Sequence, residues 1–174
     1  MLQESKNRII DSKILLDGIP GTEFRDGGRI KFGPDGMLYI STGDASMPEL
    51  SQDLNSLAGK ILRVNGDGTI PKGNPFSDSP VYAYGFRNVQ WLTWDPESRE
   101  LYASDLGAAG NDEINLVSPG KNYGWPSEEC NKNTKNTGPL LCYNPSVEPS
   151  GITFASSNKL GYKNQLIIAT LKGS

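Results

Sequence analysis

One short pattern, strand then turn then strand, recurs along this chain at almost constant spacing, and it constrains the fold more than any other feature. Arg29-Ile30-Lys31-Phe32 alternates polar and apolar residues, Gly33-Pro34-Asp35-Gly36 supplies turn chemistry, and Met37 to Thr42 reads as the return strand. Leu92-Thr93-Trp94, the turn Asp95-Pro96-Glu97-Ser98 and the strand Glu100 to Ser104 repeat it. A third version runs from Gly151 to Ala155, through a polar loop to Asn164, and back along Gln165 to Thr170. Leu38 and Leu101 are 63 residues apart, and Leu101 and Leu166 are 65 apart. Hairpins repeated at such a period are the signature of a β-propeller, here with long insertions in each blade. Three such units fit in 174 residues. The expected fold is therefore all-β, about three propeller blades in one partial domain over residues 1–174.

The residues between the hairpins are rich in turn formers, and the chain holds 20 glycines and 12 prolines. No segment keeps a helical period, although Ser51 to Lys60 suggests a short helical turn ending at Gly59. Val81 to Tyr84 reads as a further strand, and Pro126 to Pro149 as a polar surface excursion. Three units do not close a ring, and an open array leaves apolar faces uncapped. Either the chain is part of a longer protein or a second copy completes the ring.

Composition removes several classes of function. There is no histidine, so no mechanism here uses imidazole as base or metal ligand. A net charge of -3 leaves no basic excess for nucleic acid. No apolar run reaches the ~20 residues of a membrane span, and Met1 to Lys6 opens no signal peptide. Cys130 and Cys142 enclose a polar loop. They form either a disulfide, which implies an oxidising compartment, or two unpaired thiols.

Three places carry groups able to do chemistry, each with a plainer alternative. Asp44 follows Ser41-Thr42-Gly43 at a strand end, on the rim of a propeller or in an Asx turn. Arg87, Asn88 and Gln90 cluster after Gly85-Phe86, as a carboxylate-binding group or an inter-blade salt bridge. Gly107 to Glu113 is a glycine-bearing loop whose carbonyls and acids suit Ca2+, or a solvated loop.

Taken in order, several segments carry a family resemblance. They are residues 27–36 (GGRIKFGPDG), 41–44 (STGD), 52–63 (QDLNSLAGKILR), 67–71 (DGTIP), 74–76 (NPF), 87–90 (RNVQ), 112–116 (DEINL) and 122–126 (NYGWP). The chain resembles the soluble quinoprotein glucose/sorbosone dehydrogenases, the PQQ-dependent aldose sugar dehydrogenases, from about residue 8 to its end. The match covers roughly the middle half of a family chain. It implies a six-bladed β-propeller that binds pyrroloquinoline quinone (PQQ) and Ca2+ on its top face. Such enzymes oxidise aldoses at C1 to lactones and pass the electrons on to an acceptor, in the periplasm or outside the cell.

Carried over by motif, Arg87, Asn88 and Lys172 match quinone-contacting residues, with Gln90 close by. Gly107 and Ala108 match the pair whose carbonyls hold the cofactor's calcium. Glu113 and Tyr123 match ligands of a second calcium. Asp44 matches the carboxylate that orients the catalytic base.

The departures are as informative. The family reads His-x-Gly-Gly-Arg where this chain reads Arg25-Asp26-Gly27-Gly28-Arg29, so Arg25 stands in the place of the base. Arginine, with a pKa above ~12, does not accept a proton near neutrality. Leu106 stands where a histidine often precedes Gly-Pro, and Trp91 where a glycine is usual. The family's early glutamine and late arginines at the quinone have no counterpart among these residues. The implied activity is thus an impaired sugar dehydrogenase, and the alternative is a non-catalytic propeller that binds a sugar or a protein. An ion pair between Arg25 and Asp44 is expected in place of the family's His–Asp dyad.

Overall fold

The computed structural model describes residues 2–5, 8–108, 110–131, 135–155 and 161–173. Its regular elements are twelve strands and one 3-10 turn. Strands β1 (Leu2–Ser5) and β2 (Arg8–Ser12) form an antiparallel pair. Next come β3 (Gly27–Phe32), β4 (Leu38–Thr42), β5 (Lys60–Val64) and β6 (Val81–Tyr84), a four-stranded meander in chain order. A second meander holds β7 (Val89–Trp94), β8 (Leu101–Asp105), β9 (Asp112–Val117) and β10 (Leu141–Tyr143). Strands β11 (Pro149–Phe154) and β12 (Leu166–Thr170) pair last. The first strands of successive sheets pack on one another, β3 on β7 and β7 on β11. This radial stacking of meanders is the propeller plan. Two blades are complete, two sheets are half-built, and the ring is open.

All three hairpins of the sequence reading head a sheet. The first turn shows why. Asp35 Oδ1 accepts the Met37 N–H, and Oδ2 accepts the Tyr39 hydroxyl and Arg63 Nε, so one carboxylate fixes the turn and ties it to β5. Asp95 does the same for the second turn by accepting the Glu97 and Ser98 amides. The third hairpin's connection includes residues 156–160, which lie outside the described residues.

The core follows the strand period of two. Tyr39 of β4 faces the second blade with Ile61 and Ala83, against Val89, Leu92, Ala103 and Val117. Leu38 and Ile40 face the other way with Leu62, Val64 and Val81, under Leu15 and Leu16. Strand β4 is therefore buried on both faces.

Two expectations need correction. The helical turn lies at Pro48–Ser51, not across Ser51 to Lys60. Pro48 enters the first turn with its φ preset, whereas Lys60 already belongs to β5. The stretch Pro126 to Pro149 is not only an excursion, because it contributes β10, which pairs with β9 through Cys142 opposite Glu113. Cys130 and Cys142 form the disulfide, with Cα atoms 5.4 Å apart.

Candidate functional site

The candidate residues meet on one rim, where β4 and β8 end and β7 begins. Asp44 is fully buried there. Its Oδ1 accepts the Ser46 amide at 2.9 Å, so the Asx turn is present. Its Oδ2 accepts the Trp125 indole N–H at 3.0 Å and faces Arg25 Nη1 at 3.6 Å, so the ion pair is present as well. The Arg25 side chain stays 33% exposed. Around Asp44 the backbone enters the left-handed region at Arg25, Ala45 and Ser46, with φ of 65°, 50° and 59°. Non-glycine residues hold such angles only when their surroundings impose them. Gly43 makes room for it, since a Cβ on Gly43 would lie 1.7 Å from the Arg25 carbonyl oxygen. Only glycine lets the Arg25 segment lie this close to the strand end.

Arg87 and Asn88 enter from the second blade. The Arg87 carbonyl accepts the Asp44 amide at 2.8 Å, and Asn88 Oδ1 accepts the Gly27 amide at 3.1 Å. Both contacts cross the seam between blades. Arg87 Nη1 donates to the carbonyls of Leu106 and Gly107, at 3.0 and 2.7 Å. Its guanidinium lies 5.4 Å from the Trp125 ring. It forms no ion pair among the described residues. Burial and the nearby Arg25 charge pull its pKa down. Arg87 Nε is buried with no hydrogen-bond partner.

The other expected residues are placed less tightly. Gln90 sits at a bulge in β7, and its carbonyl, not its side chain, meets Arg29 Nε at 3.4 Å. Trp91 is covered by the Arg29 guanidinium, 3.4 Å from the ring centroid. Lys172 is exposed, and its Nζ pairs with Glu148 at 2.6 Å. The Gly107 carbonyl accepts from Arg87, and the Ala108 carbonyl accepts the Asn111 amide at 2.9 Å. Ala109, inside that loop, lies outside the described residues. Glu113 and Tyr123 line one small pocket together with Glu128. Glu113 accepts the Cys130 amide and the Asn115 side chain, and burial pushes its pKa up. The Tyr123 hydroxyl is already used, donating to the Leu116 carbonyl and accepting the Ser118 amide.

Three contributors escaped the sequence reading. Asp105 ends β8, buried, and its two oxygens accept the amides of Arg87 and Asn88. Burial and Glu113 push its pKa up to about 8, against the pull of those two amides. Trp125 supplies the indole donor to Asp44. Gln52 and Asn122 form a reciprocal amide pair across the seam, and Gln52 also donates to the Trp125 carbonyl. The motif residues 52–53 and 122–125 hinted at these, but nothing local said which groups they would meet.

Two tests of fit follow. An unpartnered guanidinium N–H suits an anionic, acceptor-rich group such as a quinone carboxylate. For calcium the rim offers two carbonyl oxygens that each already accept one hydrogen bond. Ca2+ takes six to eight oxygens. Among the described residues no three acidic, histidine or cysteine side chains converge as a metal site. A calcium here would need further oxygens besides these two carbonyls.

Comparison with known proteins places this geometry. The chain matches the sequence profile of the Glucose / Sorbosone dehydrogenase family over residues 1–174. It is 30% identical to the aldose sugar dehydrogenase YliI of Escherichia coli, over 98% of this chain and 52% of that protein. The PQQ-bound aldose sugar dehydrogenase of Streptomyces coelicolor superposes with a TM-score of 0.80 at 44% identity, covering 90% of this chain and 45% of that one. A structure from Thermus thermophilus named as an oxidoreductase (glucose dehydrogenase) gives a TM-score of 0.87 at 40% identity over 98% of this chain and 52% of that one. The chain thus spans about half the length of these relatives.

Proposed function

The chain belongs to the glucose/sorbosone dehydrogenase family, and from that premise we propose that its rim serves a PQQ-dependent oxidation of aldoses at C1 to lactones, impaired at proton removal by Arg25. The observation that carries the reading is the buried Arg87 Nε with no partner, beside Asn88 at a blade seam. Arg87, Asn88 and Lys172 would hold the quinone's oxygens, with Gln90 nearby. The carbonyls of Gly107 and Ala108 would meet the cofactor's Ca2+, and Glu113 with Tyr123 a second one. Bound there, the quinone would supply the two-electron acceptor for the sugar. Asp44, which in this reading steadies the base, is instead paired with Arg25. The guanidinium stays protonated and takes no proton from a sugar hydroxyl. A general base is worth ~10²–10⁴ in rate.

That same ion pair favours a second reading, a non-catalytic propeller that binds a sugar or a protein. An electron acceptor and a partner completing the ring belong to the proposal too, as does a periplasmic or extracellular setting. The disulfide supports that setting. Among the described residues no helix is long and apolar enough to cross a membrane.

Titration of the full chain with PQQ and Ca2+, followed by glucose-dependent dye reduction, tests both readings. PQQ is expected to bind, and Arg25→His to raise turnover by ~10²–10⁴. Unchanged turnover in Arg25→His with the quinone bound would overturn the lost-base account. Absence of quinone binding would leave the binding-module reading.

A further inference from the structure

We propose that Asp105 is the positioning residue of the Arg87–Asn88 pair, setting both side chains on the rim by gripping their backbone. Asp105 closes β8 with both carboxylate oxygens in use. Oδ2 accepts the Arg87 amide at 3.0 Å and Oδ1 accepts the Asn88 amide at 2.6 Å. Two successive N–H groups thus converge on one buried carboxyl group, where the chain crosses from one blade to the next.

The grip is reciprocal. The Leu106 amide donates to the Asn88 carbonyl at 3.2 Å, and Arg87 Nη1 returns to the carbonyls of Leu106 and Gly107. Residues 87–88 and 105–107 are tied in both directions. The guanidinium is held by its terminal nitrogen, and its Nε remains unpaired. Asn88, held at its amide, aims Oδ1 at Gly27 of the preceding blade. A carboxylate that served only to end a strand would not spend both oxygens on the two residues that line the rim. Nothing local marks Asp105 for this role, because its partners lie 18 and 17 residues upstream.

The ligand half of this proposal rests on the function proposed above; the backbone half does not, and the experiment separates them. Asp105→Asn keeps the volume but leaves one oxygen for two amides. In the folded full chain, amide hydrogen exchange of Arg87 and Asn88 is expected to quicken about tenfold or more, with β8–β9 ladder amides unchanged. PQQ affinity, read by tryptophan fluorescence, is expected to weaken by about tenfold. Asp105→Glu keeps both oxygens and is expected to recover much of each effect. It also carries the test if Asp105→Asn does not fold. Exchange that quickens everywhere, or not at all, overturns the positioning role. Quickened exchange at Arg87 and Asn88 with unchanged PQQ affinity also overturns it, leaving a structural carboxylate. Wild-type chain that binds no PQQ sinks the proposed function, while the exchange pattern still decides the grip.

Discussion

At the scale of single residues, the rim depends on groups that tolerate little change. A methyl at Gly43 would overlap the Arg25 carbonyl. Gly43→Ala is therefore expected to lower stability by ~2 kcal/mol or more in urea unfolding, with loss of the Arg25–Asp44 pair. A cost under half of that would show that the Arg25 segment can retreat freely. Lys60 offers a pH test. It is fully buried, and its Nζ donates to the carbonyls of Leu50, Ser51 and Ala58 at 2.7, 3.1 and 2.6 Å. Burial pulls its pKa down from 10.5 to about 8. Between those values the unfolded chain binds the extra proton, so folding becomes more favourable as pH rises, by up to ~1.4 kcal/mol per pH unit. Wild type is expected to gain stability from about pH 8 to 10.5 relative to Lys60→Met, the window between the lowered folded value and the unfolded one. Parallel curves would mean that the ammonium is not strained by burial. Asp44, Arg87 and Asn88 were legible in sequence because each stands beside a strand end marked by glycine. Asp105 and Trp125 were not, because their partners are brought to them only by blade packing.

At the scale of elements, legibility follows the range of the interactions. The hairpins β3–β4 and β7–β8 could be read because a turn of a few residues dictates each pairing, and β11–β12 because apolar runs mark both of its strands. Strands β5 and β10 join through longer connections and carry weaker local marks. The misplaced helical turn has the same origin. Leu54, Leu57 and Ala58 look helical, yet Asp53 and Ser56 bend the segment by accepting the amides of Asn55 and Ala58. The disulfide fixes the loop behind Glu113, whose carboxylate accepts the Cys130 amide. It spans 12 positions in sequence. Replacing both cysteines by serine is expected to cost ~3 kcal/mol of stability by the loop-closure argument. Urea midpoints of the double variant check this, and a shift below ~1 kcal/mol would mean that β9 alone holds the loop.

For the whole molecule, the open ring dominates. On β3, Ile30 and Phe32 are 65% and 61% exposed. Beside them an apolar cleft of about 470 Å³ is lined by Leu15, Leu16, Ile30, Leu38 and Ile40. Surface of this kind on a folded chain promotes association. Residues 1–174 produced alone are expected to show a sedimentation coefficient that rises with concentration. Ile30→Lys with Phe32→Lys should suppress the rise, since neither side chain belongs to the core. A monomer at every concentration would refute the expectation.

The seam between the two complete blades has a consequence for recombination. Gly27, Gly43, Asp44 and Gln52 stand on one side of it; Arg87, Asn88, Asp105, Asn122 and Trp125 stand on the other. Six rim hydrogen bonds join one list to the other: Asp44 to the Arg87 carbonyl, Asn88 to Gly27, Trp125 to Asp44, Gln52 to the Trp125 carbonyl and the two bonds of the Gln52–Asn122 pair. A chimera spliced between β6 and β7 would inherit two correctly folded blades from different parents and half an address from each. A crossover within the first blade, in the loop between β4 and β5, would take Asp44 from one parent and Gln52, Arg87 and Trp125 together from the other. Gene shuffling in this fold therefore needs its units of inheritance drawn across blades, from the end of one sheet to the start of the next.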